Sequence, residues 1–382
     1  MVRLGDVCDI LNGYAFKSEE YSDSGFRIIR ISNVQKGYVE DTTPVFYPED
    51  NPIVNKYELF ENDLLLSLTG NVGRVALLEK EFLPAALNQR VACLRPKKGT
   101  AVRTKYLFHI LNSDAFEKAC ILSSKGLAQK NMSTEWLKDY LIPLPSLEKQ
   151  DEISETLNKV DELISLRKRQ LQKLDDLIKS RFIEMFGEPH RSKLHPYCAV
   201  SELTDVVSGG TPDRKKAEYW EGGTIPWVKT TELHNTKIIE VEERITEKGL
   251  AESSAKIVPA NTVLIAMYGQ GKTRGMTGYL GIDACTNQAC ACLLPTGRID
   301  MQYLWYFLIL SYDELRGMAQ GGNQPNLNAG MIKAFPILVP PIKEQIQFVS
   351  FVSQVERIKA VVQKALDEAQ LLLDNLMQKY FG

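Results

Sequence analysis

Ala266-Met267-Tyr268-Gly269-Gln270-Gly271-Lys272-Thr273 has the Gly, Lys and Thr of a loop that cradles phosphate, but such a loop demands glycine where Ala266 stands. Nucleotide hydrolysis is therefore not expected. Adenine methyl transfer requires an Asn-Pro-Pro-aromatic motif, which Asn51-Pro52-Ile53 fails, and no cofactor-binding glycine fingerprint follows a suitable strand. His190, His195 and Cys198 suggest a metal by residue type, yet a fourth ligand at a credible spacing is missing. Cys285, Cys290 and Cys292 lie near an apolar run, with Cys292 matching Cys93, and read as small buried residues. The four histidines assemble no Ser/His/Asp or Cys/His nucleophile. The expectation is a chain without catalytic residues, metal or cofactor of its own.

What remains is a set of basic and amide side chains in loops, of the kind that meets nucleic acid. Arg and Lys reach guanine edges or phosphates, while Asn and Gln read adenine. In the first half the candidates are Lys17, Arg30, Asn71, Arg74, Gln89, Lys125, Gln129 and Lys130. In the second they are Thr211, Lys215, Lys229, Thr230, Gln270, Lys272, Arg274, Gln288, Asn323 and Gln324. Arg30 aligns with Lys229, and Ser67-Leu68-Thr69-Gly70-Asn71-Val72-Gly73-Arg74 stands where the second half has its phosphate-loop look-alike. For each, a solvated surface residue or a structural cap is the competing reading. Asn88-Gln89 and Asn287-Gln288 are identical in both halves and also suit a structural task.

These loops are positioned by a repeated unit. At an offset of 199 residues Leu4, Asp6 and Val7 recur as Leu203, Asp205 and Val206, Asn62, Leu65 and Gly70 as Asn261, Leu264 and Gly269, and Ala92-Cys93-Leu94 as Ala291-Cys292-Leu293. The offset then falls to 197 at Tyr106-Leu107 and to 195 at Pro145, Gln150 and Val160, as loop deletions produce. Short apolar runs at Phe26 to Ile31, Leu64 to Leu68 and Arg90 to Leu94, separated by Gly, Pro, Asn and Ser, predict strands and turns. A helix is expected around Thr104 to Ala119. The second copy repeats this with strands at Ile225 to Val228, Thr262 to Met267 and Ala289 to Leu294, and a helix near Met301 to Met318. Each is expected to be a mixed α/β (α+β) domain.

Each unit ends differently. Ile153, Leu157, Val160, Ile164, Leu171, Leu174 and Ile178 follow a four-three spacing broken at Arg167, and Phe348, Val352, Val355, Val362, Leu366, Ala369 and Leu373 repeat it, broken at Lys359. Two long helices of roughly 60 Å follow at 1.5 Å per residue. Each needs a partner along its stripe, and the nearest is the other copy, so an antiparallel coiled coil in a pseudo-twofold dumbbell is expected. The basic seam residues read as a local break or a snorkelling side chain. The expected boundaries are 1–145 and 188–340 for the globular domains, with 188–198 as linker, and 146–187 and 341–382 for the helices.

The 382 residues carry 46 Lys+Arg against 48 Asp+Glu, a net charge of −2, which argues against indiscriminate coating of nucleic acid while leaving local basic loops open. Seven unpatterned cysteines suit a reducing compartment. The longest apolar run, Tyr303 to Leu310, is far short of a membrane span, and no signal stretch follows Met1. A cytoplasmic protein is expected.

Two diverged domains on a rigid spacer suit a device that reads two things a set distance apart, such as half-sites about 34 Å apart on DNA. The arrangement resembles the specificity subunit of type I restriction-modification enzymes. The resemblance rests on Leu4-Gly5-Asp6-Val7 and Leu203-Thr204-Asp205-Val206 opening the units, Ser208-Gly209-Gly210-Thr211-Pro212, Ile225-Pro226-Trp227, Asn88-Gln89, Pro340-Pro341-Ile342-Lys343-Glu344-Gln345 entering the second helix, and the ends Phe186-Gly187 and Phe381-Gly382. It covers essentially the whole chain. It implies a non-catalytic reader of a bipartite, asymmetric double-stranded DNA target. By the same resemblance the partners are two methyltransferase subunits on the helices and restriction subunits completing the complex. A repeat-built scaffold without DNA affinity is the alternative, separated by sequence-selective duplex binding.

Overall fold

The computed structural model describes residues 1–124, 131–269, 271–319 and 326–382. Its contacts divide the chain into two compact units, residues 1–169 with 363–382, and residues 170–362.

In the first unit the strand Leu64–Ser67 is buried throughout, which is why it reads as an unbroken apolar run and not as an alternation. Leu64 and Leu66 pack with Leu107, Ile110 and Leu111 of the helix Thr104–Leu111, while Leu65 points into a second cluster with Ile29, Leu59 and Leu87. The strand pairs antiparallel with Val75–Leu77 and Val91–Pro96, and Cys8–Asn12 extends this sheet beyond Val91–Pro96. The second sheet is ordered Phe46–Tyr47, Phe26–Ile29, Ala85–Leu87, Glu58–Leu59, and within it Phe26–Ile29 runs parallel to Ala85–Leu87. The second unit repeats the plan. Val263 and Ile265 face its helix Met301–Leu310 while Leu264 and Ala266 face the other way, and Ile225–Val228 runs parallel to Cys285–Thr286.

The mixed α/β class is as expected, with two differences in detail. The anticipated helix over Thr104 to Ala119 is two helices, Thr104–Leu111 and Asp114–Ser123, and its counterpart is likewise Met301–Leu310 and Tyr312–Gly317. The apolar spacing runs through the junction, but Ser113 Oγ turns back on Ile110 O at 2.7 Å and Ser311 Oγ on Phe307 O at 2.8 Å, ending each first helix with a side-chain bond. The second difference is register. Val2 pairs with Ile142 and Cys198 with Ile337, and the short helices that follow are Leu4–Val7 and Val200–Leu203. Leu4 is therefore equivalent to Val200, not to Leu203, and the opening offset is 196. The strand pairing decides this, and Leu4 and Val200 are both fully enclosed.

The long helices span Leu147–Phe186 and Ile342–Phe381. Within the first unit Ile153 and Leu157 share a core with Phe381, while Val160 and Ile164 meet Ala369. Within the second, Phe182 and Phe186 lie 5.5 and 5.8 Å from Phe348, ring to ring. The two segments thus run antiparallel in each unit. Lys359 does not break the seam. Its ammonium lies 2.8 Å from Asp175 and 2.9 Å from Glu356, so the polar position is an ion-paired one.

A buried and a half-buried histidine make stability pH-dependent. His109 Nε2 meets Asn158 Oδ1 at 2.8 Å and His190 Nε2 meets Ser311 Oγ at 2.8 Å, and burial pushes both imidazoles below their ordinary value. The neutral ring is favoured in the fold, so their contribution is complete above the ordinary imidazole range and declines as pH falls through it. The unfolding midpoint is expected to drop by several degrees between about pH 8 and about pH 5.5. His109→Gln should show a smaller drop by calorimetry. An equal drop in parent and variant would remove His109 from this account.

Candidate nucleic-acid interface

The parallel strand pair ends in two turns that lie side by side. In the first unit Asn88 N–H donates to Ile29 O at 3.2 Å and Gln89 N–H to Tyr14 O at 2.9 Å. Leu68 N–H donates to Arg90 O at 3.0 Å, so the 68–74 loop joins the same edge. Gly13 permits this convergence, because a Cβ there would sit 2.2 Å from Asn88 O. The second unit matches it closely. Asn287 N–H donates to Val228 O at 2.9 Å, Met267 N–H to Ala289 O at 2.8 Å, and a Cβ on Gly209 would sit 2.3 Å from Asn287 O.

Arg30 and Lys229 occupy one structural position. Each precedes a single 3-10 turn, Ile31–Asn33 or Thr230–Glu232, and donates its backbone N–H to the side chain three residues on, Asn33 at 2.8 Å or Glu232 at 2.7 Å. Arg30 Nη2 donates to Thr43 O at 2.7 Å. In the second unit Lys229 Nζ instead lies 2.6 Å from Glu242 and 2.9 Å from Glu243. Glu242 and then Glu243 hold the Lys229 ammonium above its usual value. Burial alone would raise the Glu243 carboxyl, but Arg214 and Lys229 outweigh it and hold it low.

The other candidates divide by position. Gln89 and Gln288 are exposed at the two turns, and Asn71 is exposed in its loop, whose backbone is pinned by Ser67 Oγ donating to Asn71 O at 2.5 Å. Arg74 Nη1 donates to Gln35 Oε1 at 2.5 Å, joining the 68–74 loop to the segment after Arg30. Lys17 is exposed, 3.6 Å from Glu20. Thr211 is half-buried and Lys215 exposed. Thr230 is buried in its turn. Lys272 and Arg274 belong to a loop braced from beneath, where Tyr312 Oη donates to Lys272 O at 2.6 Å and Arg316 Nη1 to Arg274 O at 2.9 Å. Lys125, Gln129, Lys130, Gln270, Asn323 and Gln324 lie outside the described residues.

Loop equivalence differs from the sequence alignment. Gly73 N–H donates to Ser67 O and Gly275 N–H to Ala266 O, and both glycines have φ of +84°. Arg74 therefore matches Met276, and the second loop has three extra residues. Arg90 is exposed beside Gln89, and because its counterpart is Ala289 the equivalence of the two copies gives no sign of it. Gln35 is brought to Arg74 only by the fold.

The remaining polar groups have other roles. The look-alike loop at 266–273 is followed by the strand Thr277–Leu280, whereas a phosphate loop must open a helix. His190 binds Ser311, His195 faces Glu344 at 3.5 Å, and Cys198 lies in the strand Tyr197–Ala199. Cys285 and Cys292 are buried with thiols pushed up to about 11. Among the described residues no group of three His, Cys, Asp or Glu could hold a metal, and no described helix is long and apolar enough to cross a membrane.

Two copies of one α/β unit, each with a loop edge at the end of a parallel strand pair and each packed on two antiparallel helical segments, define an internally duplicated protein. The family model of the type I restriction modification DNA specificity domain matches it twice, over residues 1–176 and 198–370, and the chain belongs to that family. It is 26% identical over 282 residues to the type I restriction enzyme EcoR124I/EcoR124II specificity subunit of Escherichia coli, covering 69% of this chain and 65% of that one. It is 31% identical over 182 residues to the MjaVIII specificity subunit of Methanocaldococcus jannaschii, covering 46% and 42%. The chain thus spans less than two thirds of these relatives' length. In fold it is similar to the S subunit of a type I restriction-modification system from M. genitalium, with a TM-score of 0.60 at 15% identity, covering 100% of this chain and 95% of that one.

Proposed function

We propose that this chain is the non-catalytic DNA-reading subunit of a type I restriction-modification complex in the cytoplasm. The domains 1–145 and 188–340 each read one half of a bipartite, asymmetric duplex target. The observation that carries this is the duplicated edge, with Arg30 and Lys229 in the same capped turn beside Asn88-Gln89 and Asn287-Gln288. A common frame with different loop side chains is what reading two unlike half-sites requires. The helices at 146–187 and 341–382 dock two methyltransferase subunits. Leu163, Leu166 and Leu372 in the first unit, and their equivalents Ile358, Val361 and Leu177 in the second, are exposed apolar side chains on these helices. Restriction subunits complete the complex.

The test is reconstitution with the methyltransferase subunits. The assembly is expected to methylate one bipartite sequence, and the isolated chain to transfer no label from S-adenosylmethionine. Binding should weaken with salt at a slope near −0.9 per phosphate contacted, despite the net charge of −2. Duplex binding without sequence preference would favour the scaffold reading, and label transfer by the chain alone would make it an enzyme.

A further inference from the structure

The two domains diverge most plainly beside Lys229. Gly209 is equivalent to Gly13 at an offset of 196, while the 3-10 turn Ala217–Tyr219 is equivalent to Ser18–Glu20 at 199. Three extra residues therefore fall within the stretch Thr211 to Lys216, and this stretch brings Arg214 over two tryptophans. Its Cζ lies 3.7 Å from the Trp220 ring centre and 4.6 Å from that of Trp227. The indoles are themselves fixed. They meet edge to face at 5.0 Å, Trp227 Nε1 donates to Gly210 O at 2.9 Å, and Trp220 Nε1 donates to Asp213 O at 3.1 Å.

Arg214 Nη1 also pairs with Glu243, which stands opposite Trp227 in the strand register and holds Lys229 as well. The first domain has Ile28 where Trp227 stands, Tyr21 for Trp220, and Val45 for Glu243, whose backbone meets Ile28. An apolar strand pair in one domain is thus an Arg-binding shelf in the other.

We propose that Arg214 is a specificity-determining residue of the second domain, reading a guanine in its half-site through O6 and N7. This rests on the DNA-reading function proposed above. Stacking on an indole holds a guanidinium in one plane, which is the preorganisation a bidentate contact to guanine needs. Nearly half of the side chain, 47%, is exposed, and among the described residues its hydrogen bonding is confined to Nη1 on Glu243. Glu243 is a positioning residue, keeping the Arg214 and Lys229 charges side by side.

The test maps methylated sites of the enzyme reassembled with Arg214→Ala or Arg214→Lys. In Arg214→Ala one G·C pair of the second half-site is expected to become degenerate, discrimination there falling about 5- to 150-fold, with the first half-site unchanged. Arg214→Lys keeps the charge but loses the fork, and should relax the same base pair. If Arg214→Ala does not fold, Arg214→Lys decides alone. An unchanged second half-site, or a uniform loss of methylation at every base, would overturn the proposal. Parent enzyme that reads no bipartite sequence would instead overturn the function on which it rests.

Discussion

Exchanging residues 1–145 for the corresponding domain of a relative is expected to replace one half of the methylated sequence and leave the other half as it was. The clusters around Leu65 and Ile28 close within the exchanged segment. The cluster around Leu64 also includes Ile153, Leu157 and Phe381, so the incoming domain must keep an aromatic ring at Tyr106, which packs 5.7 Å from Phe381. The loop edge of Arg30, Gln89 and Asn71 travels with the segment, while that of Lys229 and Gln288 stays. Since specific sites are bound about a thousandfold or more better than others, the change should be all-or-none on a methylation map. A map in which both halves change would mean that neither domain reads alone.

The second large effect concerns two buried glutamines. Gln150 Oε1 accepts from Arg103 N–H at 2.9 Å while its amide donates to Ala101 O and Pro145 O, both at 2.9 Å. Gln345 accepts from Asp300 N–H at 2.8 Å and donates to Pro340 O at 2.7 Å. Each side chain is fully enclosed and ties the start of a long helix to the start of the domain's own helix. Truncation leaves buried backbone groups unpaired at about 1–3 kcal/mol each. Gln345→Ala is therefore expected to cost about 3 kcal/mol and lower the unfolding midpoint by about 6–12 °C. Gln150→Ala should do the same for the first unit. Denaturant titration checks both, and a loss below about 1 kcal/mol would show that water replaces the amide.

The glutamines illustrate how legible the chain is. Their recurrence is visible in the sequence, but a lone Gln at a helix start carries no sign of burial, and only the neighbouring 101–103 and 300 segments give it a purpose. Arg214 is a harder case. It has no counterpart in the first copy, and only the fold brings the Trp220 and Trp227 rings to 5.0 Å of each other and sets Glu243 opposite Trp227. The opening offset shows a repeat misread. Leu-x-Asp-Val recurs in letters at 199, yet strand pairing puts Val200, and not Leu203, in the place of Leu4.

By itself the sequence determined the duplication, the α/β class of each unit, the two long amphipathic helices and the want of a catalytic motif. All four are written in periodicity and residue type, which survive without knowing what touches what. Only the tertiary structure decided which loops share an edge, that Lys359 is ion-paired, that the helix at Ser113 is broken, and which basic side chains are held by carboxylates. These depend on hydrogen bonds and contacts between segments far apart in the chain, as between Ile29 and Asn88 or Lys229 and Glu243, and local spacing does not encode such pairings.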